Sequence, residues 1–167
     1  MRYPIEGTHW MSDSVGQHIK DLVATFYELA DSKESDAGTR MATEVFTEDA
    51  VLITANGTFQ GFLEISKSRE NAWSIVNSRK HRVLKVFSGN DKVPELSILG
   101  TGEMKFKNGK EISSPFACYI RLESSDSGVR ISLMQVFVVR FHCYIAIRSL
   151  DINIQPSDRI RPQFLQY

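Results

Sequence analysis

The segment Thr43–Gly61, TEVFTEDAVLITANGTFQG, limits the possible folds of this chain more than any other segment. An apolar run leads into Asn56-Gly57, and a second short β-forming run then ends at Gly61. Asn-Gly between β-formers predicts a tight hairpin, because both central residues of a type I′ turn need a positive φ. Helical patterns lie on both sides of this hairpin, and the later half of the chain alternates like a sheet. This order predicts an α+β fold in which helices cover one face of a sheet.

Three helices are predicted from apolar residues that recur at helical spacing. We expect them over Val15–Lys33, Ala37–Phe46 and Phe62–Ser78. The period changes to two after the third helix, which indicates strands with one covered face. These strands are expected over His81–Ser88, Glu95–Lys107, Ile112–Glu123 and Val129–Val138. Consecutive strands joined by tight turns predict an antiparallel meander, and three covering helices then make a cone-shaped α+β domain.

The last strand is apolar on both faces, and this predicts a homodimer. Val129, Ile131, Leu133 and Phe137 are expected to face the core, with Gln135 as a polar interruption. Met134, Val136 and Val138 then form an outward apolar set. A sheet that is apolar on both sides needs cover on both sides.

The length of 167 residues predicts one domain. We divide the chain into a loose leader over residues 1–14, the α+β domain over residues 15–138 and a C-terminal extension over residues 139–167. The start of the chain lacks the apolar stretch of a secretory signal. The extension contains Pro156 and Pro162 and has no clear period, so no structure is predicted for it.

The charges and cysteines of the chain argue against several classes of function. Lys plus Arg equals Asp plus Glu, 20 against 20, so no overall field would attract nucleic acid or an anionic membrane. No run approaches the ~18 apolar residues of a membrane span. Cys118 and Cys143 make no disulfide framework, and no Cys/His spacing indicates a zinc site. We therefore expect a cytoplasmic protein that binds no metal, nucleic acid or membrane.

Several segments together resemble the SnoaL-like branch of the nuclear transport factor 2-like superfamily. They are FYELADS at 26–32, EVFTEDAVL at 44–52, GTFQG at 57–61, KHRVLKVF at 80–87, PFACYIRLE at 115–123 and QVF at 135–137. The resemblance covers about residues 15–138. It implies a curved antiparallel sheet that three helices wrap around a deep pocket. Members include polyketide cyclases, dehydratases, isomerases, epoxide hydrolases and non-catalytic binding proteins, so the fold alone does not select a function.

The resemblance also implies two catalytic residues. His81 resembles the general base of scytalone dehydratase-like enzymes, and imidazole groups in general suit proton transfer near neutrality. Asp31, in the motif ELADS, is the candidate carboxylate partner, with Glu34 as the second choice. The alternative for His81 is a partly exposed strand-end histidine in the basic cluster Arg79-Lys80-His81-Arg82, and the alternative for the carboxylates is a solvated acidic helix end. The chain also lacks the second histidine of those dehydratases, because Glu95–Lys107 contains none.

Four aromatic residues are expected to form the walls of the implied pocket. They are Tyr27, Trp73, Phe116 and Phe137. Gln135 is expected to offer its amide to a ligand, because a buried amide needs a partner. The alternative is that this amide bonds a neighbouring backbone group.

These features predict a pocket for a small, polyketide-like or polycyclic molecule. The predicted chemistry is cofactor-free acid–base catalysis of a dehydration, cyclisation or isomerisation. His81 is the predicted base and Asp31 is its partner. The alternative is a non-catalytic binding or dimeric assembly module of the same fold.

Overall fold

The computed structural model describes residues 2–89, 95–125 and 128–138. These residues form a curved, unclosed sheet of seven strands with three α-helices, which confirms the predicted α+β class. The helices are α1 Gln17–Asp31, α2 Ala37–Glu44 and α3 Gly61–Lys67. The strands are β1 His9–Trp10, β2 Phe46–Thr54, β3 Gly57–Gln60, β4 Val76–Ser88, β5 Glu95–Phe106, β6 Glu111–Ser125 and β7 Gly128–Val138. None of the described helices is long and apolar enough to cross a membrane.

The strand order is β1-β4-β5-β6-β7-β2-β3, and strands β4 to β7 form the predicted antiparallel meander. The sheet as a whole is mixed, because β1 runs parallel to β4 and β2 runs parallel to β7. The core lies between α1 and the inner face of the sheet. Leu22, Phe26 and Ala30 of α1 recur at helical spacing and are buried with Ile98 and Ile120 of the sheet.

The first hairpin turns one residue earlier than predicted. Thr54 pairs with Gly57, so the two-residue loop is Ala55-Asn56. Gly57 is the first residue of β3 and has a φ of +140°. Few residues other than glycine adopt that conformation, so the glycine is still what allows the sharp turn.

The third helix is shorter than predicted, because it ends at Lys67 instead of Ser78. A series of i→i−3 backbone bonds follows, and β4 begins at Val76. In this stretch Arg69 binds the carbonyl of Ala30, and the Trp73 indole donates to the carbonyl of Ser32 at 2.9 Å. These contacts with the end of α1 override the helical pattern. His81 therefore lies inside β4 and does not open it.

The expected loose leader is wrong for residues 2–11, which we call the N-terminal strap. Tyr3–Ile5 form a short 3₁₀ turn, and Pro4 and Ile5 are buried. His9 and Trp10 pair with β4, and the Thr8 hydroxyl donates to the Val83 carbonyl at 2.7 Å. The strap therefore bridges α1 and the edge strand β4. The predicted C-terminal extension, residues 139–167, lies outside the described residues.

A β-bulge at Ser132 reverses the faces predicted for the end of β7. Arg121 pairs with Leu133 and Leu122 pairs with Ile131, so Ser132 is the extra residue. Met134, Val136 and Val138 consequently lie opposite the inward residues of β6 and face the core. Gln135 and Phe137 lie opposite Tyr119 and Ala117 and face outward. The pocket positions predicted for Gln135 and Phe137 are therefore wrong, because one added residue exchanges the two faces of a strand.

Candidate functional site

The candidate site joins the last residue of α1 to the middle of β4. His81 Nδ1 lies 2.6 Å from Asp31 Oδ1, and the backbone N–H of His81 donates to Asp31 Oδ2 at 2.7 Å. The Asp31 side chain is only 6% exposed and that of His81 is 20% exposed. The structure thus brings the two predicted catalytic residues together, and their catalytic roles stay predictions.

Two further groups contact the Asp31 carboxylate. The Tyr3 hydroxyl donates to Oδ2 at 2.6 Å, and Arg79 Nε lies 3.4 Å from Oδ1. Oδ2 therefore accepts two hydrogen bonds, whereas Oδ1 faces His81 Nδ1 and the charge of Arg79, whose Nε makes no hydrogen bond of standard geometry among the described residues. Burial raises the pKa of the Asp31 carboxyl, but the bonds from His81 and Tyr3 outweigh burial and hold that pKa below its usual value. Asp31 is therefore ionised at neutral pH.

An ionised Asp31 fixes the tautomer of His81. A carboxylate can only accept hydrogen bonds, so His81 Nδ1 carries the proton that bonds Oδ1. Nε2 of the neutral ring then holds a free lone pair. Such an arrangement prepares an imidazole to accept a proton at Nε2.

Two aromatic rings pack around the imidazole. The Tyr27 and Phe116 ring centroids lie 5.4 Å and 5.6 Å from that of His81. A Cβ at Gly100 would lie 2.3 Å from Phe116 Cζ, so the Phe116 ring occupies the space over this glycine. The Tyr27 hydroxyl is buried, and among the described residues it has no hydrogen bond of standard geometry. These rings set an apolar surface beside the imidazole.

Gly102 lies beside His81 Nε2. His81, Gly102 and Ser114 lie in one register row of the sheet. A Cβ at Gly102 would lie 3.7 Å from Nε2, so the absence of a side chain leaves room next to this atom. Ser114 lies across this glycine and is 3% exposed. Its hydroxyl donates a long bond of 3.4 Å to the carbonyl of Pro115 and is therefore only weakly engaged.

Two arginines hold the end of α1 beside the dyad. Arg69 and Arg79 both donate to the carbonyl of Ala30, where cations suit the negative end of a helix. Arg79 lies 4.9 Å from the centroid of the Trp73 ring. Burial, and then the nearby charge of Arg79, lower the pKa of Arg69 to about 10, so it stays positive at neutral pH. Trp73 thus braces the end of the helix and does not line the His81 ring.

An open groove of about 560 Å³ begins one register row away from His81. It spans three rows of β4, β5 and β6, with Arg79, Met104 and Ile112 in the central row. His81 does not line it. Arg79 links the groove to the dyad, because its side chain lines the groove and its Nε lies 3.4 Å from Asp31 Oδ1.

Three predicted pocket residues lie away from the dyad. Glu34 follows the end of α1, its side chain is 68% exposed, and it lies 3.4 Å from Arg40. Gln135 and Phe137 lie on the outer face of β7. The structure adds Tyr3, Arg79 and Ser114 instead. The alternation of β4 and β6 could have placed Arg79 and Ser114 on the covered face, whereas no local signal predicts the contact of Tyr3.

The strand order, the curvature and the three helices define the nuclear transport factor 2-like fold, also described as cystatin-like, and confirm the predicted fold family. The hexachlorocyclohexane dehydrochlorinase LinA type 3 from Novosphingobium barchaimii matches with a TM-score of 0.63 and 13% identity, over 72% of this chain and 84% of that one. Aln2 from a Streptomyces species matches with a TM-score of 0.60 and 14% identity, over 83% and 97%. A nuclear transport factor 2-like superfamily protein from Salmonella enterica gives 0.60 and 11%, over 73% and 89%.

No protein-family model and no curated protein sequence matches the chain. At these identities the structural matches establish the fold. The SnoaL-like branch therefore remains a resemblance of sequence motifs within that fold.

Proposed function

We propose that this protein is a cofactor-free acid–base enzyme, a lyase or isomerase, that acts on a small, largely apolar molecule. The observation that carries the proposal is the 2.6 Å contact between His81 Nδ1 and a buried, ionised Asp31. A histidine oriented by a carboxylate suits general-base catalysis, because one ring nitrogen is held in place and the other can accept a proton. A polyketide-like or polycyclic metabolite of secondary metabolism is the substrate class that the SnoaL-like resemblance suggests.

The proposed reaction begins with transfer of a substrate proton to His81 Nε2. The electron pair of the broken C–H bond forms a carbon–carbon double bond, and a leaving group departs from the adjacent carbon with the former bonding pair. In an isomerisation no group leaves: the electron pair delocalises into an adjacent carbonyl or double bond, and His81 returns the proton to a different carbon. Asp31 stabilises the imidazolium formed in either case without accepting its proton. The LinA match supports the elimination branch, because the name dehydrochlorinase states loss of hydrogen chloride.

Proton exchange in D₂O tests this function without knowledge of the natural substrate. The purified full chain is incubated with a panel of cyclic ketones, β-hydroxy ketones and chlorinated cyclohexanes, and deuterium uptake and elimination products are followed by NMR and mass spectrometry. We expect exchange or elimination for at least one compound, at a rate well above that of His81→Gln. Equal rates for the two proteins on every compound that binds would contradict the proposal.

Gly102→Ala is expected to lower turnover without weakening the fold. The new methyl group would meet His81 Cδ2 at 3.5 Å and Nε2 at 3.7 Å, which is ordinary contact distance. It would fill the approach to the base, so we expect turnover to fall about tenfold or more. The thermal midpoint should stay at or slightly above the parental value, because alanine restricts the unfolded chain more than glycine does.

Gly100→Ala provides the contrasting variant for this test. Its Cβ would lie 2.6 Å from the backbone oxygen of Arg82, so it should destabilise the protein by about 1–3 kcal/mol. Thermal unfolding and turnover are measured for both variants. Parental turnover in Gly102→Ala would show that ligands do not reach Nε2 across this glycine.

A non-catalytic binding or assembly module is the second candidate function. The packing of the Tyr27 and Phe116 rings favours it, because these rings fill the inner face beside His81 with the protein's own side chains. A ligand that binds with equal affinity to the parent and to His81→Gln, with no exchange or elimination in either, would support the module.

We also propose that the chain forms a homodimer through the outer face of its sheet. Leu99, Ala117 and Phe137 lie in one register row there, and Leu99 and Phe137 are 45% and 51% exposed. The helices cover the opposite face, and no other described segment covers this apolar row, so we propose a second copy as its cover.

Sedimentation equilibrium at micromolar concentration checks this proposal. We expect a dimer for the full chain and a shift toward monomer for Phe137→Lys. Leu63→Lys is the matched control, because Leu63 is exposed on α3 and not on the sheet. A monomeric parent would contradict the proposal and would favour cover by the chain's own residues 139–167.

A further inference from the structure

The N-terminal strap brings a residue from the start of the chain into the candidate site. Arg2 forms an ion pair with Glu28, and its guanidinium also donates to the Thr25 hydroxyl at 2.9 Å. The backbone N–H of Met11 donates to the Val86 carbonyl at 2.9 Å. The strap is thus fastened to α1 at one end and to β4 at the other. Tyr3 lies between these two attachments.

We propose that Tyr3 is a positioning residue for the His81–Asp31 dyad. Its hydroxyl donates to Asp31 Oδ2 at 2.6 Å, on the same oxygen that the backbone N–H of His81 binds. This contact leaves Oδ1 turned toward His81 Nδ1 at 2.6 Å. Tyr3 therefore acts through Asp31: it selects the carboxylate rotation that keeps the proton of His81 on Nδ1.

The charges around Asp31 support this role. Burial, and then the bond to Asp31, raise the pKa of the Tyr3 hydroxyl above its usual value, so the hydroxyl remains a donor. His81 of β4 contacts Asp31 directly, and the Tyr27 hydroxyl of α1 is close enough to feel its charge. Arg79 and Arg69 supply positive charge near the carboxylate. Among these groups Tyr3 is the neutral donor from outside α1 and β4 that holds Oδ2. Its loss would leave that oxygen with one donor and free the carboxylate to rotate.

This inference rests on the proposed function for its catalytic meaning, but its test requires no substrate. The full chain carries a selective ¹³C label at the aspartate carboxyl groups and a ¹⁵N label at the histidine rings. The titration of the Asp31 carboxyl carbon and the His81 Nδ1–H signal are measured in the parent and in Tyr3→Phe. We expect the Asp31 midpoint to rise by about one pH unit, because one hydrogen bond to the ionised form is lost. The Nδ1–H signal should shift and broaden.

Arg2→Gln is the matched control, because it removes the ion pair of the strap with Glu28 and keeps the Tyr3 hydroxyl. It should lower the thermal midpoint but leave both NMR signals of the dyad near their parental positions. Unchanged dyad signals in Tyr3→Phe would overturn the proposal. Equal shifts in Arg2→Gln and Tyr3→Phe would also overturn it, because they would assign the effect to packing of the strap and not to the hydroxyl. Absence of turnover bears on the enzyme proposal alone.

Discussion

Asp31→Ala is expected to lower the free energy of unfolding by about 3–5 kcal/mol, the usual effect of removing one partner of a buried charged pair. The change would leave the largely buried guanidinium of Arg79 without its carboxylate. It would also remove the acceptor of the Tyr3 hydroxyl and of the His81 backbone N–H. Urea unfolding curves of the two proteins, compared at an unchanged m-value, measure the difference.

Glu34→Ala is the matched control for this loss. Glu34 lies just beyond the same helix end, is mostly exposed and contacts Arg40 at the surface. Exposed ion pairs contribute little, so the unfolding midpoint should remain parental. Similar losses for the two variants would contradict the central role of Asp31 in the packing of α1 against β4.

The same carboxylate predicts the acid dependence of stability. The pKa of Asp31 is depressed in the folded state, so its contribution is fully present above about pH 4, the ordinary value for aspartate. The contribution is lost as the pH falls through the folded-state pKa. Below about pH 4 the stability of the parent should therefore fall more steeply than that of Asp31→Ala.

The sequence predicts the fold well because its strongest signals are periodic and local. The apolar stripe of α1 and the alternation along β5 and β6 each specify an element and its buried face. The motifs FYELADS and KHRVLKVF also identify Asp31 and His81 as candidate site residues, and the structure places their side chains in contact. Two well-spaced motifs were sufficient for this pair, because the fold itself places the end of α1 against β4.

The remaining features depend on contacts between distant segments. No pattern in residues 2–11 indicates that Tyr3 reaches Asp31, because the contact spans 28 residues and depends on the parallel pairing of β1 with β4. The bulge at Ser132 likewise has no marker such as glycine, and it exchanges the faces of Gln135 and Phe137. The residues after Lys67 have a helical pattern but form no α-helix, because Arg69 and Trp73 bind the end of α1 instead. Local propensity is a weak guide wherever tertiary contacts compete with it.

His81→Ala is expected to lower turnover by about 10²–10⁴ while ligand affinity stays close to the parental value. Affinity should change less than turnover because the rings beside His81, those of Tyr27 and Phe116, are aromatic. Most of the binding free energy should therefore come from apolar burial. In the proposed mechanism the imidazole contributes mainly to proton transfer. Turnover is measured on the compound found by deuterium exchange, and affinity is measured by calorimetry on the same compound.

Two further variants separate this effect from loss of structure. His81→Gln keeps a side-chain N–H that can bond Asp31, but an amide does not accept a proton at neutral pH, so its turnover should fall as far as that of His81→Ala. His18→Ala removes an exposed histidine from the first turn of α1 and should keep parental turnover. Parental turnover in either His81 variant would show that His81 is not the base. Equal losses in His18→Ala and His81→Ala would show that the loss does not depend on the His81–Asp31 contact.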